Sequence, residues 1–326
     1  MVTGSNGFIG SHLAEKLIGN GEYVIGIDRH KSLPKNLEKL QNNRNFTYYQ
    51  CDLSQDLKLL RKLISNSLHI FHFGAVVGVQ NYLNKPMRMF ESNIIGSYNL
   101  IKAWSEFDIP LMFASTSEIY GKNPDVPWNE NSDRILGDTA KDRWSYSTGK
   151  ALIEHLIIAL SKERKLNYKI VRFFNVYGPR QKPIFVIPRA LCRALKGQPI
   201  EIFDTGEQTR SYIFIDDAID AILSVSGATL NNVFNIGNNE EIAVKDLYLK
   251  IAKLIPNTSI SNIETQLSHG QGYEDLPRRV PDISALKINS AWKPIYSLDE
   301  GLESTLGWIK SNKWWLNLDS EIDFRL

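Results

Sequence analysis

The first half of the chain alternates short apolar runs with stretches of helical spacing, and this alternation constrains the fold more than any other feature. Each apolar run is nearly continuous, as expected for a strand that is covered on both faces. Strands that alternate with helices are typical of a parallel sheet built through right-handed crossovers. We therefore predict an α/β fold with a doubly wound parallel sheet, with strands at 23–27, 46–49, 68–73, 110–114 and 169–174 and helices at 11–18, 56–65, 88–106 and 146–164.

The pattern loosens after Gly178-Pro179, where segments rich in Pro and Gly alternate with short helices. We predict that this part forms a smaller, mainly C-terminal lobe, with segments 212–216 and 233–237 as candidates to return to the main sheet. The predicted helices of this part are 186–196, 216–225, 244–254 and 298–311.

The composition is that of a globular chain with a substantial core, since 43% of its 326 residues are hydrophobic. A net charge of +2, from 38 basic and 36 acidic residues, does not indicate nucleic acid as a partner. Cys51 and Cys192 lack the spacing of a disulfide framework or a zinc knuckle, so free thiols are expected. No apolar run reaches about 18 residues and no signal-like pattern opens the chain, so we expect no membrane association and a cytoplasmic location.

Three glycines, Gly4, Gly7 and Gly10, lie in the stretch TGSNGFIG directly before the first predicted helix. Missing side chains let the backbone turn tightly and approach a pyrophosphate, which the helix dipole and free N–H groups, such as those of Phe8 and Ile9, stabilise. Only three residues precede these glycines, which predicts either an unusually short first strand or a chain whose opening residues are missing. A dinucleotide site is predicted here.

Asp28 ends the second predicted strand, 24 positions after the first of these glycines. A carboxylate at this point binds both ribose hydroxyls of an adenosine and disfavours a 2′-phosphate, so NAD is predicted over NADP. Arg29 and Lys31 keep NADP open as the alternative. Asp52 and Leu53 follow the third predicted strand and could meet the adenine, although a surface turn is an equally good interpretation.

Polar side chains collect at the end of the apolar run 109–113, in the stretch ASTSEIYG. Ser115, Thr116, Ser117 and Glu118 follow one another at the mouth of what reads as a buried strand. Ligands bind at the carboxyl ends of parallel strands, so these residues indicate a site. An ordinary helix cap or turn is the competing interpretation.

Tyr146 lies four residues before Lys150 in the stretch WSYSTGK, at the start of a predicted helix. One helical turn places both side chains on the same face, where the ammonium can lower the pKa of the phenol and let Tyr146 act as a base near neutral pH. Alone, such a pair is more often a solvated helix face. The glycine stretch and Thr116 at a strand end favour the catalytic interpretation.

These residues together resemble the extended short-chain dehydrogenase/reductases that act on nucleotide sugars. The resemblance extends over nearly the whole chain and rests on TGSNGFIG, HFGA (72–75), STSEIYG (115–121), the Tyr-Lys pair, RFFNVYGPR (172–180) and QTRSYIFIDD (208–217). It implies a Rossmann-type NAD-binding domain at 1–178, with returns near 211–238. It also implies a nucleotide-sugar-binding lobe at 179–210 and 239–326.

The resemblance also implies roles for individual residues. In the family, the residue that matches Thr116 hydrogen-bonds the sugar O4, and the one that matches Tyr146 removes its proton while NAD accepts the C4 hydride. Lys150 then serves both the catalytic and the cofactor site. Asn175 and Arg210 match contacts to the nucleotide diphosphate, and bidentate arginine–phosphate geometry makes the second assignment reasonable.

Glu118 adds a carboxylate that a simple 4-epimerase does not need. The branches of the family that use one are the 4,6-dehydratases and the nucleotide-sugar glucuronate decarboxylases. In the glucose dehydratases, a neighbouring Asp protonates the departing hydroxyl, and this chain has Ser117 at that position. GDP-mannose dehydratases also carry Thr-Ser-Glu, so the triplet alone does not decide between the branches.

Two further stretches, KDRWSYSTGKALIEHL (141–156) and GQGYEDLPRRVPDISAL (270–286), resemble the UDP-4-keto-pentose-forming decarboxylase and the UDP-apiose/xylose synthases. The match places Arg279 beside the C6 carboxylate of the substrate, with Tyr82 nearby. The competing interpretation is that Arg278 and Arg279 are surface charges before a Pro turn. The expected activity is an NAD-dependent UDP-glucuronate decarboxylase that requires no metal. The alternatives are a 4-epimerase, a 4,6-dehydratase and a non-catalytic NAD-binding regulator.

A homodimer is the expected assembly. The amphipathic helices at 88–106 and 146–164 resemble those that form a four-helix dimer interface in this family. The same apolar stripes could instead be packed within one subunit.

Overall fold

A seven-stranded sheet, parallel at every pairing, forms the centre of the molecule. This computed structural model describes residues 1–31, 33, 35–78, 86–227, 231–264 and 275–318. The strands are β1 Val2–Thr3, β2 Val24–Asp28, β3 Phe46–Gln50, β4 Ile70–His72, β5 Leu111–Thr116, β6 Tyr168–Phe173, β7 Asn175–Tyr177, β8 Ile200–Phe203, β9 Thr209–Phe214, β10 Asn232–Ile236, β11 Glu241–Ala243, β12 Ile260–Ile263 and β13 Arg278–Arg279.

Helices flank the sheet, as the alternating pattern predicts. Those of the described residues are α1 Phe8–Gly19, α2 Leu57–Ser65, α3 Pro86–Phe90, α4 Ser97–Trp104, α5 Asp142–Arg164, α6 Val186–Leu195, α7 Ile215–Ser226, α8 Val244–Leu254, α9 Ser284–Asn289 and α10 Leu298–Ser311. Short 3₁₀ turns occupy Lys35–Leu40, Ser117–Tyr120 and Lys313–Asn317, and a π-helical turn, Glu91–Gly96, joins α3 to α4. No helix in the part of the chain described is long and apolar enough to cross a membrane.

The strand order β10-β6-β5-β4-β1-β2-β3 reverses direction between β4 and β1. In a doubly wound sheet this reversal opens a crevice at the carboxyl ends of the strands. Thr3 at the end of β1 pairs with His72 at the end of β4, both in backbone register and through a 2.8 Å side-chain hydrogen bond. The doubly wound Rossmann-type prediction is confirmed, and the crevice lies beside the predicted glycine loop.

A smaller sheet stands apart from the main one and is built around β9, which pairs with β7, β11 and β13. The segment 233–237 returns to the main sheet as expected, since β10 pairs with β6. The expected return of 212–216 is wrong. The chain leaves the main sheet at Phe174, between β6 and β7. Strand β9 pairs with β7 in the smaller sheet and not with a strand of the main sheet. The division of the chain into two binding lobes stays a prediction.

Two helices differ from the sequence prediction in a way that matters for the site. The helix expected at 88–106 contains the π-helical turn, in which the buried Asn93 side chain donates to the carbonyl of Val76 and accepts from its N–H, at 2.8 and 2.7 Å. A pattern of 3.6 residues per turn does not reveal such a wide turn. Helix α5 begins at Asp142 rather than at Tyr146, so Tyr146 lies in its second turn.

Candidate active site

The glycine loop forms a cradle that only glycines can build. Gly4 has a φ of +67°, and a Cβ on it would lie 2.6 Å from the Cα of Gly74. A Cβ on Gly10 would lie 2.2 Å from the carbonyl oxygen of Gly4. Helix α1 starts directly after Gly7, with no acidic residue in its first turn and no side chain of the described residues capping it. Its first N–H groups therefore remain available, and the cradle fits a pyrophosphate.

Asp28 lies where an adenosine ribose would be expected, at the carboxyl end of β2 beside the glycine loop. The Oδ1 atom of Asp52 accepts hydrogen bonds from the N–H and hydroxyl of Ser54, at 2.9 and 2.6 Å. This is the geometry of a turn, which is the alternative to an adenine contact that the sequence left open for Asp52. The Leu53 carbonyl accepts from Asn99 at 3.0 Å. Contacts of Asp52 and Leu53 with an adenine stay predictions.

The hydroxyls of Thr116 and Tyr146 are brought together at the end of β5. Thr116 caps the 3₁₀ turn by accepting from the N–H of Glu118 at 3.2 Å, and its side chain is hydrogen-bonded to Tyr146. Burial and the nearby charge of Glu118 raise the pKa of Tyr146, while Thr116 and Arg279 act in the opposite direction. Lowering of this pKa by Lys150 stays a prediction. The pair forms a compact hydrogen-bonding site for one hydroxyl of a ligand.

Lys150 is buried beneath this pair, with 3% of its surface exposed. Its Nζ atom donates to the carbonyl of Ala114 at 2.8 Å and lies 4.7 Å from the ring centroid of Phe113. Burial lowers the pKa of Lys150 to about 7, against the opposing charge of Glu154. The ammonium is therefore close to losing its proton at neutral pH.

Glu118 is held between two guanidiniums. Arg143 donates from Nε to Oε2 at 3.0 Å and from a terminal nitrogen to Oε1 at 3.2 Å, and Arg279 also donates to Oε1. Burial acts to raise the pKa of Glu118, but the charges of Arg279 and Arg143 outweigh it and lower the pKa to about 2. Glu118 is thus a fixed anion at the mouth of β5.

Arg279 reaches this point from the smaller sheet, because β13 pairs with β9 and places Arg279 opposite Arg210. Its Nε atom is buried and has no partner among the described residues. Arg278, one residue earlier, is exposed and pairs with Glu241 at 2.7 Å. The interpretation of both arginines as surface charges therefore holds for Arg278 and fails for Arg279.

Arg210 and Asn175 lie on the same small sheet. Arg210 donates to Asp275 at 2.7 Å and to the carbonyl of Thr209 at 2.7 Å, and Asn175 donates to the carbonyl of Ser211 at 2.9 Å. Burial lowers the pKa of Arg210. Arg210 thus lies on the strand that pairs with β13, and Asn175 lies on β7, which pairs with that same strand β9.

Sequence reasoning missed Arg143 and Asp275. Arg143 also lies 3.5 Å from Asp275, so it joins Glu118 to the carboxylate that binds Arg210. The spacing of Arg143, three residues before Tyr146 on one helix, is a signal that could have placed it on the catalytic face. Asp275 carried no comparable signal. Tyr82 lies outside the described residues, and its predicted contact stays a prediction.

Three serines line the same region with unused hydroxyls. The Oγ atoms of Ser115, Ser117 and Ser147 are buried, and none has a hydrogen-bond partner within the part of the chain described. A buried hydroxyl without a partner costs free energy, so a ligand or a water molecule is expected to supply one. A catalytic role for Ser117 stays a prediction.

Comparison with known proteins agrees with this geometry. The doubly wound sheet, the glycine cradle and the Thr116, Tyr146 and Lys150 cluster define an α/β enzyme that binds a dinucleotide. A model of the NAD dependent epimerase/dehydratase family matches residues 1–237, and the chain belongs to that family. NAD is its cofactor, and the glycine cradle and Asp28 are the residues that fit it.

Named relatives are enzymes of nucleotide-sugar chemistry. The UDP-N-acetyl-alpha-D-glucosaminuronate decarboxylase of Bacillus cytotoxicus is 33% identical over 316 residues, which cover 95% of this chain and 97% of that protein. UDP-D-apiose/UDP-D-xylose synthase 1 of Arabidopsis thaliana is 31% identical, covering 93% of this chain and 89% of its own length. The structure of UDP-glucuronic acid 4-epimerase from Bacillus cereus, solved with UDP-glucuronic acid and NAD, has a TM-score of 0.85 at 27% identity, covering 95% and 98% of the two chains.

Proposed function

We propose that the protein is an NAD-dependent UDP-glucuronate decarboxylase, which oxidises C4 of the sugar and releases its C6 carboxylate as carbon dioxide. The product is UDP-xylose or a UDP-4-keto-pentose. One observation carries the proposal: Arg279 lies beside Glu118 next to the Thr116 and Tyr146 hydroxyls, and its buried Nε–H has no partner among the residues that the structure describes. The decarboxylases and synthases among the relatives support the same reading.

The charge balance of the site favours an anionic substrate. Arg143, Arg210 and Arg279 face two carboxylates, Glu118 and Asp275, so these five groups carry one net positive charge. A uronic acid linked to a diphosphate brings negative charge at both ends. Its diphosphate would be held by Arg210 and Asn175 and its C6 carboxylate by Arg279, through planar guanidinium hydrogen bonds.

The proposed chemistry needs few groups of the protein. NAD, when bound, accepts the hydride from C4. Tyr146 takes the proton of the C4 hydroxyl, Thr116 holds the oxygen, and Lys150 supplies positive charge behind them. The resulting β-keto acid breaks its C5–C6 bond, and the electron pair moves to the C4 oxygen as an enolate. Thr116 and Tyr146 then stabilise that oxyanion by hydrogen bonding, which is worth about 3 kcal/mol per donor in a preorganised site.

Glu118 fits both leading candidates, and Ser117 separates them. Because it is ionised, it can accept a C5 proton, which favours a 4,6-dehydratase as the second candidate. Such a dehydratase also needs an acid for the departing C6 hydroxyl, and Ser117 is a poor one. In a decarboxylase, Glu118 orients Arg279 and lies close to C5, where the enolate must be protonated.

The direct test is proton NMR of the purified protein with NAD and UDP-glucuronate, together with a measurement of carbon dioxide release. The expected result is carbon dioxide with new pentose anomeric signals, which separate xylose from keto-pentose products. UDP-galacturonate without carbon dioxide would show a 4-epimerase. A parallel sample with UDP-N-acetylglucosaminuronate covers the substrate named for the Bacillus cytotoxicus relative. No carbon dioxide from either sugar would overturn the proposal.

A further inference from the structure

A buried ion pair lies one helical turn beyond Lys150 on α5. Glu154 and Arg172 of β6 are 5% and 8% exposed. They form a two-point contact, from Arg172 Nε to Oε1 at 3.1 Å and from a terminal nitrogen to Oε2 at 2.7 Å. Desolvation offsets much of the attraction in such a pair, so it is a poor source of stability compared with apolar packing. Its position beneath the catalytic cluster suggests a different role.

The arginine of this pair is fixed from other directions as well. Arg172 donates to the hydroxyl of Tyr120 at 3.0 Å and to the carbonyl of Glu130 at 2.8 Å. Tyr120 in turn donates to Asn235 at 2.7 Å. With its guanidinium held this way, Arg172 keeps the Glu154 carboxylate in one place.

Among the described residues, Glu154 is the carboxylate whose charge raises the pKa of Lys150. The other described groups that face Lys150 carry no full charge. On the β5 side lie the Ala114 carbonyl and the Phe113 ring, which carry no full charge. On β4, His72 is neutral, because burial, with a smaller contribution from Lys150, lowers its pKa to about 3. Tyr146 lies one turn earlier on α5, with its pKa raised by burial.

Glu154 has titratable neighbours besides Lys150. Arg172 and Arg134 are its cationic neighbours, and Tyr168 is a phenol whose pKa burial and Glu154 raise. The negative charge of Glu154 favours the ammonium form of Lys150, whereas burial favours the neutral form. The net result is a pKa of about 7. A small change of charge here therefore changes the protonation of Lys150 at neutral pH.

We propose that Glu154, held in place by Arg172, is a positioning residue that keeps Lys150 protonated and so sets the pH range in which Tyr146 works as a base. This inference rests on the proposed roles of Tyr146 and Lys150. It does not rest on the sugar, because C4 oxidation is common to decarboxylase, epimerase and dehydratase chemistry.

Two substitutions separate charge from shape. Glu154→Gln keeps the length of the side chain and removes its charge, whereas Glu154→Asp keeps the charge and shortens the side chain. The readout is the tyrosinate absorbance of Tyr146 in the NAD-loaded protein across pH, obtained by subtracting the spectrum of the same protein carrying Tyr146→Phe. No sugar is present.

We expect Glu154→Gln to shift the midpoint of the Tyr146 tyrosinate titration upward by about one pH unit, because the neutral form of Lys150 gains population. Glu154→Asp should stay within about 0.3 pH units of the wild type. A purely structural pair predicts the reverse order, since Asp breaks the two-point contact more severely than Gln does. An Asp variant whose midpoint shifts as far as that of the Gln variant, or further, would overturn the proposal.

Folding is checked by circular dichroism and by NAD binding. If Glu154→Gln alone fails to fold because it leaves Arg172 unpaired, the double variant Glu154→Gln/Arg172→Gln removes the stranded charge. A wild-type titration midpoint in that double variant would contradict the proposal, and a midpoint shifted upward would support it. Because the titration uses no sugar, absence of carbon dioxide release in the other assay would overturn only the substrate assignment.

Discussion

At the scale of single residues, Glu118 shows how a buried carboxylate can stay charged. Two arginines from distant parts of the chain supply hydrogen bonds and charge that outweigh its desolvation. The carboxylate in turn fixes the direction of both guanidiniums. Glu118 thus helps to orient both arginines even before any proton transfer is considered.

The ionisation of Glu118 predicts a pH-dependent contribution to stability. Its pKa is about 2 in the folded protein against 4.5 ordinarily, so the contribution is present above about pH 4.5 and is lost as the pH falls toward 2. By linkage it is about 3 kcal/mol. We expect Glu118→Gln to lower the free energy of unfolding at pH 6, with a difference from the wild type that shrinks between pH 5 and 3. Urea denaturation at several pH values measures this, and a constant difference would contradict it.

The neighbouring arginines of β13 provide a matched pair of variants. Under the proposed function, Arg279→Ala removes a hydrogen-bonded charge from the C6 carboxylate, so we expect kcat/KM for UDP-glucuronate to fall by about 100-fold. Affinity for UDP should change far less. Arg278→Ala, on the same strand but exposed and paired with Glu241, should leave both within about twofold. Equal losses of UDP and UDP-glucuronate binding in Arg279→Ala would point to a folding defect instead.

At the scale of elements, helices α1 and α5 carry most of the site. Helix α1 presents its amino terminus to the glycine cradle, and α5 lines up Arg143, Tyr146, Lys150 and Glu154 at spacings of three and four residues. Residues at these spacings share one face of a helix. The face of α5 thus fixes the order of charges that Tyr146 experiences.

Two glycines of α1 allow a test of the cradle. Gly10→Ala places a Cβ 2.2 Å from the Gly4 carbonyl oxygen, so the loop must shift and we expect NAD affinity to fall at least about tenfold. Gly19→Ala, at the end of the same helix, meets nothing within 4 Å and should leave NAD affinity unchanged. Isothermal titration calorimetry with NAD measures both. Unaltered binding by Gly10→Ala would show that the cradle is not the cofactor site.

Elements that depend on local sequence patterns can be predicted from the sequence, whereas pairings between distant segments cannot. The parallel sheet and the glycine loop follow from local patterns, because continuous apolar runs and glycine spacing are properties of neighbouring residues. The position of β9 does not follow, since an apolar strand can pair with any available edge. The contact of Glu118 with Arg143 joins residues 25 positions apart, and that with Arg279 joins residues 161 apart. The resemblance to a family indicated Arg279 as a site residue, but neither contact was predicted from the sequence.

At the scale of the whole molecule, the exposed apolar residues of two helical segments favour the expected homodimer. Ile95, Tyr98 and Leu152 are 48%, 45% and 52% exposed in the region where α4 packs against α5. Apolar side chains on one such surface are typical of a subunit interface. The homodimer remains a proposal that solution measurements can decide.

An arginine at position 152 should separate the subunits of the proposed dimer. We expect Leu152→Arg to give a monomer by gel filtration with light scattering, because burying an unpaired charge costs several kcal/mol. Leu68→Arg is the control, since Leu68 is 92% exposed on a loop outside these helices and should leave the assembly unchanged. A wild-type protein that already runs as a monomer would contradict the dimer.

The two halves of the proposed site come from separate parts of the chain. Thr116, Tyr146 and Lys150 belong to the main sheet and its helix, whereas Arg279 arrives on a two-residue strand of the smaller sheet. In the proposed assignment, the groups for the oxidation step and the arginine that holds the C6 carboxylate are thus encoded in distant stretches of the gene. Mutation and selection can therefore alter what happens at C6 while the machinery for oxidation is inherited intact.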